Sequence, residues 1–287
     1  MDEPGALMSR DTSVQEREKI SVVVTVKNEA HNIEDLLDSL VIQESPLEIM
    51  IIDAASTDGT QEIVRRYRKD YPFIVLHRYA AQRGESRNKG IQMATGSIVA
   101  FTDGDCITNP FWAMEIRKTL KSGDIVGGKT IAMGYEPFKM LGRVEVYHKG
   151  IDITFPSCNL AYRKNILEEI GGFDPRFITA EDIDLNYRAV EGGYNIVENR
   201  KMIVYHKERS TVFAFFKQAF WNGFGRKQLT MKHGSLWGSY SPGEMLQKQI
   251  GFWWMTRTAV ALLGYFSYLM AHSRYKVKRN RSFRAAS

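Results

Sequence analysis

The chain has 287 residues, 44% of them hydrophobic, enough to bury one large core or a core with a smaller C-terminal element, which excludes disorder as the default state. Its two cysteines, Cys106 and Cys158, are too few to staple a chain of this length and lack the paired spacing of a zinc site, so a reducing compartment fits best. The net charge of +6 is concentrated in Arg274, Lys276, Lys278, Arg279, Arg281 and Arg284, and no nucleic-acid-binding motif accompanies them, so no nucleic-acid partner is expected.

Residues 1–19 carry charges and no apolar run, so they read as a flexible tail without a signal peptide, and the following domain is expected to face the cytosol. Residues 20–26 form a β-branched run without alternation, the mark of a strand covered on both faces by helices in a parallel sheet. Asn32 then precedes apolar Ile33, Leu36, Leu37 and Leu40, which predicts a helix capped by that asparagine. A second strand runs from Glu48 to Asp53, and a helix follows Gly59 and Thr60. Strands at 73–76 and 97–102, with a helix over 85–93 between them, continue the alternation. Four strands alternating with three helices describe an open α/β sheet.

Beyond Asp105 the regularity fades into strand-like pieces near 124–132 and 155–162 and helices near 163–170 and 181–191, and from Thr211 the chain turns aromatic and helical. The organisation expected is a domain over 20–230, with a nucleotide-binding half to about 105 and an acceptor half beyond it, then a helical C-terminal segment over 231–287.

Ligands of open α/β sheets bind beyond the carboxyl ends of the strands, where Asp53 and Asp103 lie. Asp103-Gly104-Asp105 follows a strand, and alternation in an extended chain would turn both carboxylates to one point. Such a pair calls for a cation, and hard oxygen donors select magnesium or manganese. Glu181-Asp182-x-Asp184 opens a helix after Thr179, a candidate cap; Asp184 and Arg188 form an i, i+4 pair of structural role, which leaves Asp182 as a candidate base. Residues 123–130 satisfy G-x-x-x-x-G-K-T, but a helix precedes them and Gly134 and Pro137 follow, the wrong context for a phosphate-binding loop. The glycine-free turn Lys27-Asn28-Glu29-Ala30 excludes the usual dinucleotide cradle.

Taken in order, Val-Val-Val-Thr-Val-Lys-Asn-Glu, Asp-x-x-Ser-Thr-Asp-Gly-Thr, Arg-Gly-x-x-x-Arg-Asn-x-Gly, the D-x-D, Gly-Gly-Phe-Asp, Glu-Asp-x-Asp-Leu and His206 resemble the family two glycosyltransferases over about residues 20–230. The resemblance implies a GT-A fold, a Rossmann-like, mostly parallel sheet flanked by helices, and inverting transfer from a nucleotide-diphosphate sugar with Mn2+ or Mg2+. It places Glu29 and Asp53 at the nucleoside, Arg83 and Arg87 at the base or ribose, Asp103 near the ribose, Asp105 and His206 at the metal, and Arg226 at the diphosphate. Asp182 resembles the catalytic base, with Asn159 and Glu181 on the acceptor side. Ala54 and Ala55 depart from the family, which has an acid or Asn and then Gly after the first aspartate.

The acceptor expected is a hydroxyl on a glycan or lipid-linked glycan; a polyprenyl phosphate and a non-catalytic sugar- or nucleotide-binding module are the alternatives. Arg257 interrupts the apolar run 250–271, so an amphipathic or re-entrant segment on the cytosolic leaflet is expected, anchored by Trp253, Trp254, Tyr265 and Tyr268 and by the basic tail. Packing on the protein's own core, or against a second subunit to give a homo-oligomer, is the alternative for this segment.

Overall fold

The computed structural model describes residues 17–134, 143–207, 211–234, 236 and 252–284, with side chains only to residue 270 in the last segment. Most of the expected flexible tail, the Pro137 stretch, the start of the C-terminal segment and the final three residues fall outside the described residues. The alternation is as expected at first: β1 (Ile20–Val26), α1 (Ile33–Val41), β2 (Leu47–Asp53), α2 (Thr60–Asp70), β3 (Ile74–Arg78), α3 (Arg83–Met93) and β4 (Ile98–Asp103). There follow β5 (Cys106–Thr108), α4 (Trp112–Leu120), β6 (Ile125–Met133), the short pair β7 (Tyr147–His148) and β8 (Ile151–Asp152), and β9 (Leu160–Arg163). The chain continues through α5 (Lys164–Glu169), α6 (Glu181–Glu191), β10 (Ile196–Lys207), α7 (Val212–His233) and α8 (Phe252–Arg284).

Eight strands form one mixed sheet in the order β3-β2-β1-β4-β9-β6-β10-β5. The first four are mutually parallel; β9 is antiparallel to both its neighbours, β4 and β6. The apolar run of β1 is almost wholly buried because helices cover both faces, and the core divides into two clusters on either side of the sheet. Register positions the site: Asp53 pairs with Val26 and Asp103 with Thr25, so both acids leave the sheet at one edge, on either side of β1.

Several local expectations change. Asn32 does not cap α1; its amide donates to Glu29 instead. Thr179 does not cap α6 either, because Ala180, in the left-handed region at φ 61°, is the capping residue and has no oxygen to offer. The stretch expected as a strand over 155–162 is a 3-10 turn at Ser157–Asn159 before β9. The phosphate-loop pattern lies on β6, so its backbone N–H groups belong to a strand and form no anion nest.

Candidate active site

Two turns at the carboxyl ends of β1 and β2 are stitched together by short polar side chains. The Asn28 N–H donates to Ser56 Oγ (2.9 Å), Thr57 N–H to Asn28 Oδ1 (2.9 Å), Glu29 N–H to Thr60 Oγ1 (2.9 Å) and Ala30 N–H to Asp58 Oδ2 (2.9 Å). Asp58 and Thr60 therefore fix the turn rather than face a ligand. Fully buried Asp53 accepts from the Ser56 N–H and from Gln61 Nε2 (2.7 Å), so its carboxylate shapes the loop that follows β2. Asn28 and Ala55 both adopt positive φ, 58° and 60°, and Ala55 occupies the position where the resembled family carries glycine. That glycine has a backbone reason: an L side chain is strained there.

The two D-x-D carboxylates, expected to turn to one point, take different partners. The strand ends at Asp103 and the chain turns through Gly104 and Asp105, so the two-residue alternation no longer applies. Asp103 accepts from Arg87 (2.7 Å), whereas Asp105 Oδ1 lies 3.3 Å from His206 Nε2. Asp103 thus shares the Arg87 guanidinium with Glu181. Burial opposes ionisation of Asp103, but Arg87, with Arg83 and His206, outweighs it and holds the carboxyl below its usual range. Glu29 packs against Gly104: a β-carbon there would meet Glu29 Cγ at 2.9 Å, so glycine between the acids lets Glu29 sit beside them.

Asp105 and His206 come together because β5 and β10 pair with Cys106 opposite His206. The carboxylate, the imidazole and the Cys106 thiol lie within 4.8 Å of one another. A carboxylate oxygen with an imidazole nitrogen suits a divalent ion, so the donor set fits the expected metal. Burial works against a charged His206, yet the Asp105 hydrogen bond and the surrounding negative charge raise it to about 9. Cys106 was not singled out in the sequence; the only signal was its place next to the D-x-D.

Arg87 is the hub of the site. It is fully buried and donates to both Asp103 (2.7 Å) and Glu181 (2.8 Å), and its guanidinium lies 5.4 Å from the centroid of the Phe173 ring. Burial disfavours its charge, but Asp103 and Glu181 more than restore it. Next to it, Asn88 forms a two-way clasp with the Phe173 backbone, donating to the carbonyl (2.7 Å) and accepting from the N–H (2.8 Å). Gly172, at φ 64°, must be glycine, since a β-carbon would sit 2.5 Å from Asn88 Oδ1. The Arg-Asn-x-Gly and Gly-Gly-Phe-Asp motifs are therefore two halves of one contact.

Asp182 lies at the first turn of α6, partly buried, where Oδ2 accepts the Ser157 N–H (3.2 Å) and Oδ1 the Ile183 N–H (2.8 Å). Burial and the neighbouring Glu181 charge raise its pKa to about 6, against the opposing pull of Arg87. Asp184 is fully buried and held by Arg188 (3.0 Å), Lys232 (2.6 Å) and His233 (2.7 Å), the structural role expected of it.

Two residues expected on the acceptor side lie elsewhere. Asn159 is fully buried, accepting from Trp112 Nε1 (2.9 Å) and donating to the Lys129 (2.9 Å) and Met202 (3.1 Å) carbonyls, so it ties core strands together. Glu181 is buried against Arg87 and faces inward. Arg87, expected at the base or ribose, is likewise enclosed by its two acids. Arg83 is exposed at the rim, 4.0 Å from Glu181, and Arg226 donates to the Val144 carbonyl (3.0 Å).

The family model described as glycosyl transferase family 2 matches residues 21–173, which span β1 to Phe173 and so include both stitched turns, the D-x-D and the Asn88 clasp. The chain is similar to the glycosyltransferase AglE of Haloferax volcanii, 30% identical over 228 residues, 74% of this chain and 74% of that one. It is also similar to a glucosyl-dolichyl phosphate glucuronosyltransferase of the same organism, 26% identical over 248 residues, covering 74% of this chain and 78% of the relative. Among solved structures, the mannosyltransferase PcManGT of Pyrobaculum calidifontis, in complex with GDP-Man and Mn2+, aligns over 95% of this chain and 82% of its own with a TM-score of 0.59 at 20% identity, a likeness of fold. With its motifs in order, its mixed eight-stranded sheet and its acids at the strand ends, the chain belongs to the family 2 glycosyltransferases and has the GT-A fold.

Proposed function

We propose that the protein transfers a sugar, with inversion, from a nucleotide-diphosphate sugar to an acceptor hydroxyl in glycan or glycolipid assembly. The observation that carries this is Arg87, which bonds at once to Asp103 at the end of β4 and to Glu181 beside Asp182. Donor-side acids and a carboxylate suited to proton transfer are thereby held one side chain apart.

Asp182 accepts the proton of the acceptor hydroxyl as that oxygen attacks the anomeric carbon from the face opposite the diphosphate, and a single displacement inverts the centre. A pKa near 6 suits this role: the group is ionised at neutral pH yet basic enough to take a proton. Asp105 and His206 would hold the divalent ion, Mn2+ or Mg2+, whose chemistry when bound is to neutralise charge on a departing diphosphate; their closeness to one another supports this reading. Glu29, beside Gly104, and the loop shaped by Asp53 belong with the nucleoside. Arg83 is the exposed cation at the same rim, and Arg226 is assigned to the diphosphate on family resemblance. The PcManGT complex, with its nucleotide sugar and manganese, supports the donor class and a divalent ion.

The protein is proposed to work at the cytosolic face of a membrane, where a lipid-linked acceptor and a nucleotide-sugar donor meet. One relative's name, a glucosyl-dolichyl phosphate glucuronosyltransferase, describes transfer to a sugar already carried on dolichyl phosphate and so favours a lipid-linked hydroxyl; a polyprenyl phosphate is the alternative acceptor. A phosphate acceptor is already anionic and needs no base. Asp182→Asn therefore separates the two: for a hydroxyl acceptor, turnover falls by at least about 10²-fold at unchanged donor affinity. Wild-type turnover would assign the acceptor as a phosphate. The overall reading is tested with a panel of nucleotide sugars and manganese, scoring release of nucleoside diphosphate. Release that a chelator abolishes is expected; no release with any donor and acceptor pair would favour a non-catalytic binding module.

A further inference from the structure

Helix α8 packs on α7 through glycines. A β-carbon at Gly223 would meet the Ala261 carbonyl oxygen at 1.7 Å, and one at Gly264 the Phe220 carbonyl oxygen at 1.9 Å, so the two backbones touch where they cross. Three of the four aromatic residues expected as membrane anchors, Trp253, Tyr265 and Tyr268, turn toward this crossing. Trp253 lies edge-on to Phe215 (6.1 Å), Tyr268 edge-on to Phe224 (4.8 Å), and Lys227 sits 4.9 Å from the Tyr265 ring centroid.

The opposite face is what α8 leaves bare. Every exposed residue between Phe252 and Met270 is apolar, and the largest are Phe252 (71% exposed), Met255, Leu262, Leu263 (65%), Phe266 and Met270. They recur every three or four positions, which makes a single stripe roughly 27 Å long at the helical rise. A stripe of this size without a polar residue marks an interaction surface. Among the described residues no helix is long and apolar enough to cross a membrane.

We propose that this face of α8 docks on an anionic lipid bilayer, lying along its surface and holding the Asp182 turn there. Charge identifies the occupant. From Phe252 to Arg284 the helix contains no acidic residue, while Arg274, Lys276, Lys278, Arg279, Arg281 and Arg284 continue beyond the stripe. Anionic headgroups complement that sequence, since each basic side chain near a negatively charged surface adds to the attraction. A second copy pairing stripe to stripe in parallel would set six cations against six. The link to the site is α7, whose Gly225 packs against the turn before the base: a β-carbon there would meet Thr179 Cγ2 at 2.7 Å and Ala180 Cβ at 3.0 Å. This inference rests on the transferase reading only in assigning the surface a lipid-borne acceptor.

The test is co-sedimentation of the full chain with vesicles of phosphatidylcholine, with and without phosphatidylglycerol, for the wild type and for Leu263→Glu/Phe266→Glu. Both substituted residues are exposed, so circular dichroism should be unchanged. The wild type is expected to partition onto the anionic vesicles and to be partly released by salt, with at least about tenfold weaker partitioning for the variant. Release of nucleoside diphosphate from the donor in vesicle-free solution should be the same for both proteins. Absence of wild-type binding to anionic vesicles overturns the proposal. So does a solution dimer that the variant splits without any change in vesicle binding, which would assign the face to a second copy. Loss of donor turnover in both proteins with vesicle binding intact would instead refute the transferase reading and leave the docking surface standing.

Discussion

Asp182 and Glu181 are sequence neighbours with opposite assignments. Glu181 turns inward to Arg87, while Asp182 stays partly exposed with a pKa near 6 that burial and the Glu181 charge maintain. The base works only when ionised, so turnover should fall about tenfold per pH unit below that value. In Glu181→Gln the repelling charge is gone while Arg87 remains, so the acid limb of the kcat profile should move to lower pH; a limb that stays in place or moves up would remove Asp182 as its origin. At this scale the sequence was legible in which acids gather at the strand ends, Asp53 beside Asp103. It misled at Asn159 and Glu181, because a motif fixes which residue is present but not which way it faces. Arg87 had a readable sign: it shares a helical face with Gly84 and Ile91, and an arginine on a buried face must be paired with acid.

Elements meet through their glycines. Gly90 of α3 lies so close to β1 that a β-carbon would stand 2.3 Å from Val23 Cγ1. Alanine is the better helix former by up to about 1 kcal/mol, but overpacking a buried contact costs about 1–3 kcal/mol. Gly90→Ala should therefore lower the melting temperature, and adding Val23→Ala should recover part of the loss; a raised melting temperature for the single variant would refute the close approach. Elements to β4 were legible almost to the residue because strand and helix periods alternate there without interruption. Later ones were less so. The strand expected over 155–162 holds a 3-10 turn, since Ser157 and Asn159 spend their polar groups on Asp182 and on the core. The caps expected from Asn32 and Thr179 failed for a related reason, as the Asn32 amide is committed to Glu29 and the α6 start is set by Ala180.

Across the whole molecule, α7 connects the α8 face to the turn before Asp182, and its far end grips Asp174 and Asp184 through Lys232. Gly225→Ala, away from the reacting groups, should push α7 off Thr179 and reduce kcat by roughly 10- to 100-fold at unchanged donor affinity. Normal turnover in that variant would show that the turn tolerates displacement. The division into nucleotide and acceptor halves, natural in the sequence, is not a division of the sheet, because β9 from the second half pairs between β4 and β6. That insertion has a consequence in time. On a ribosome, β4 emerges about 60 residues before β9, a wait of roughly 3–12 s at ordinary synthesis rates. Throughout that interval its Ile-Val-Ala-Phe run has an open edge, the template on which strands of neighbouring nascent chains can add. Yield of the folded protein should therefore depend on how densely its messenger is loaded with ribosomes.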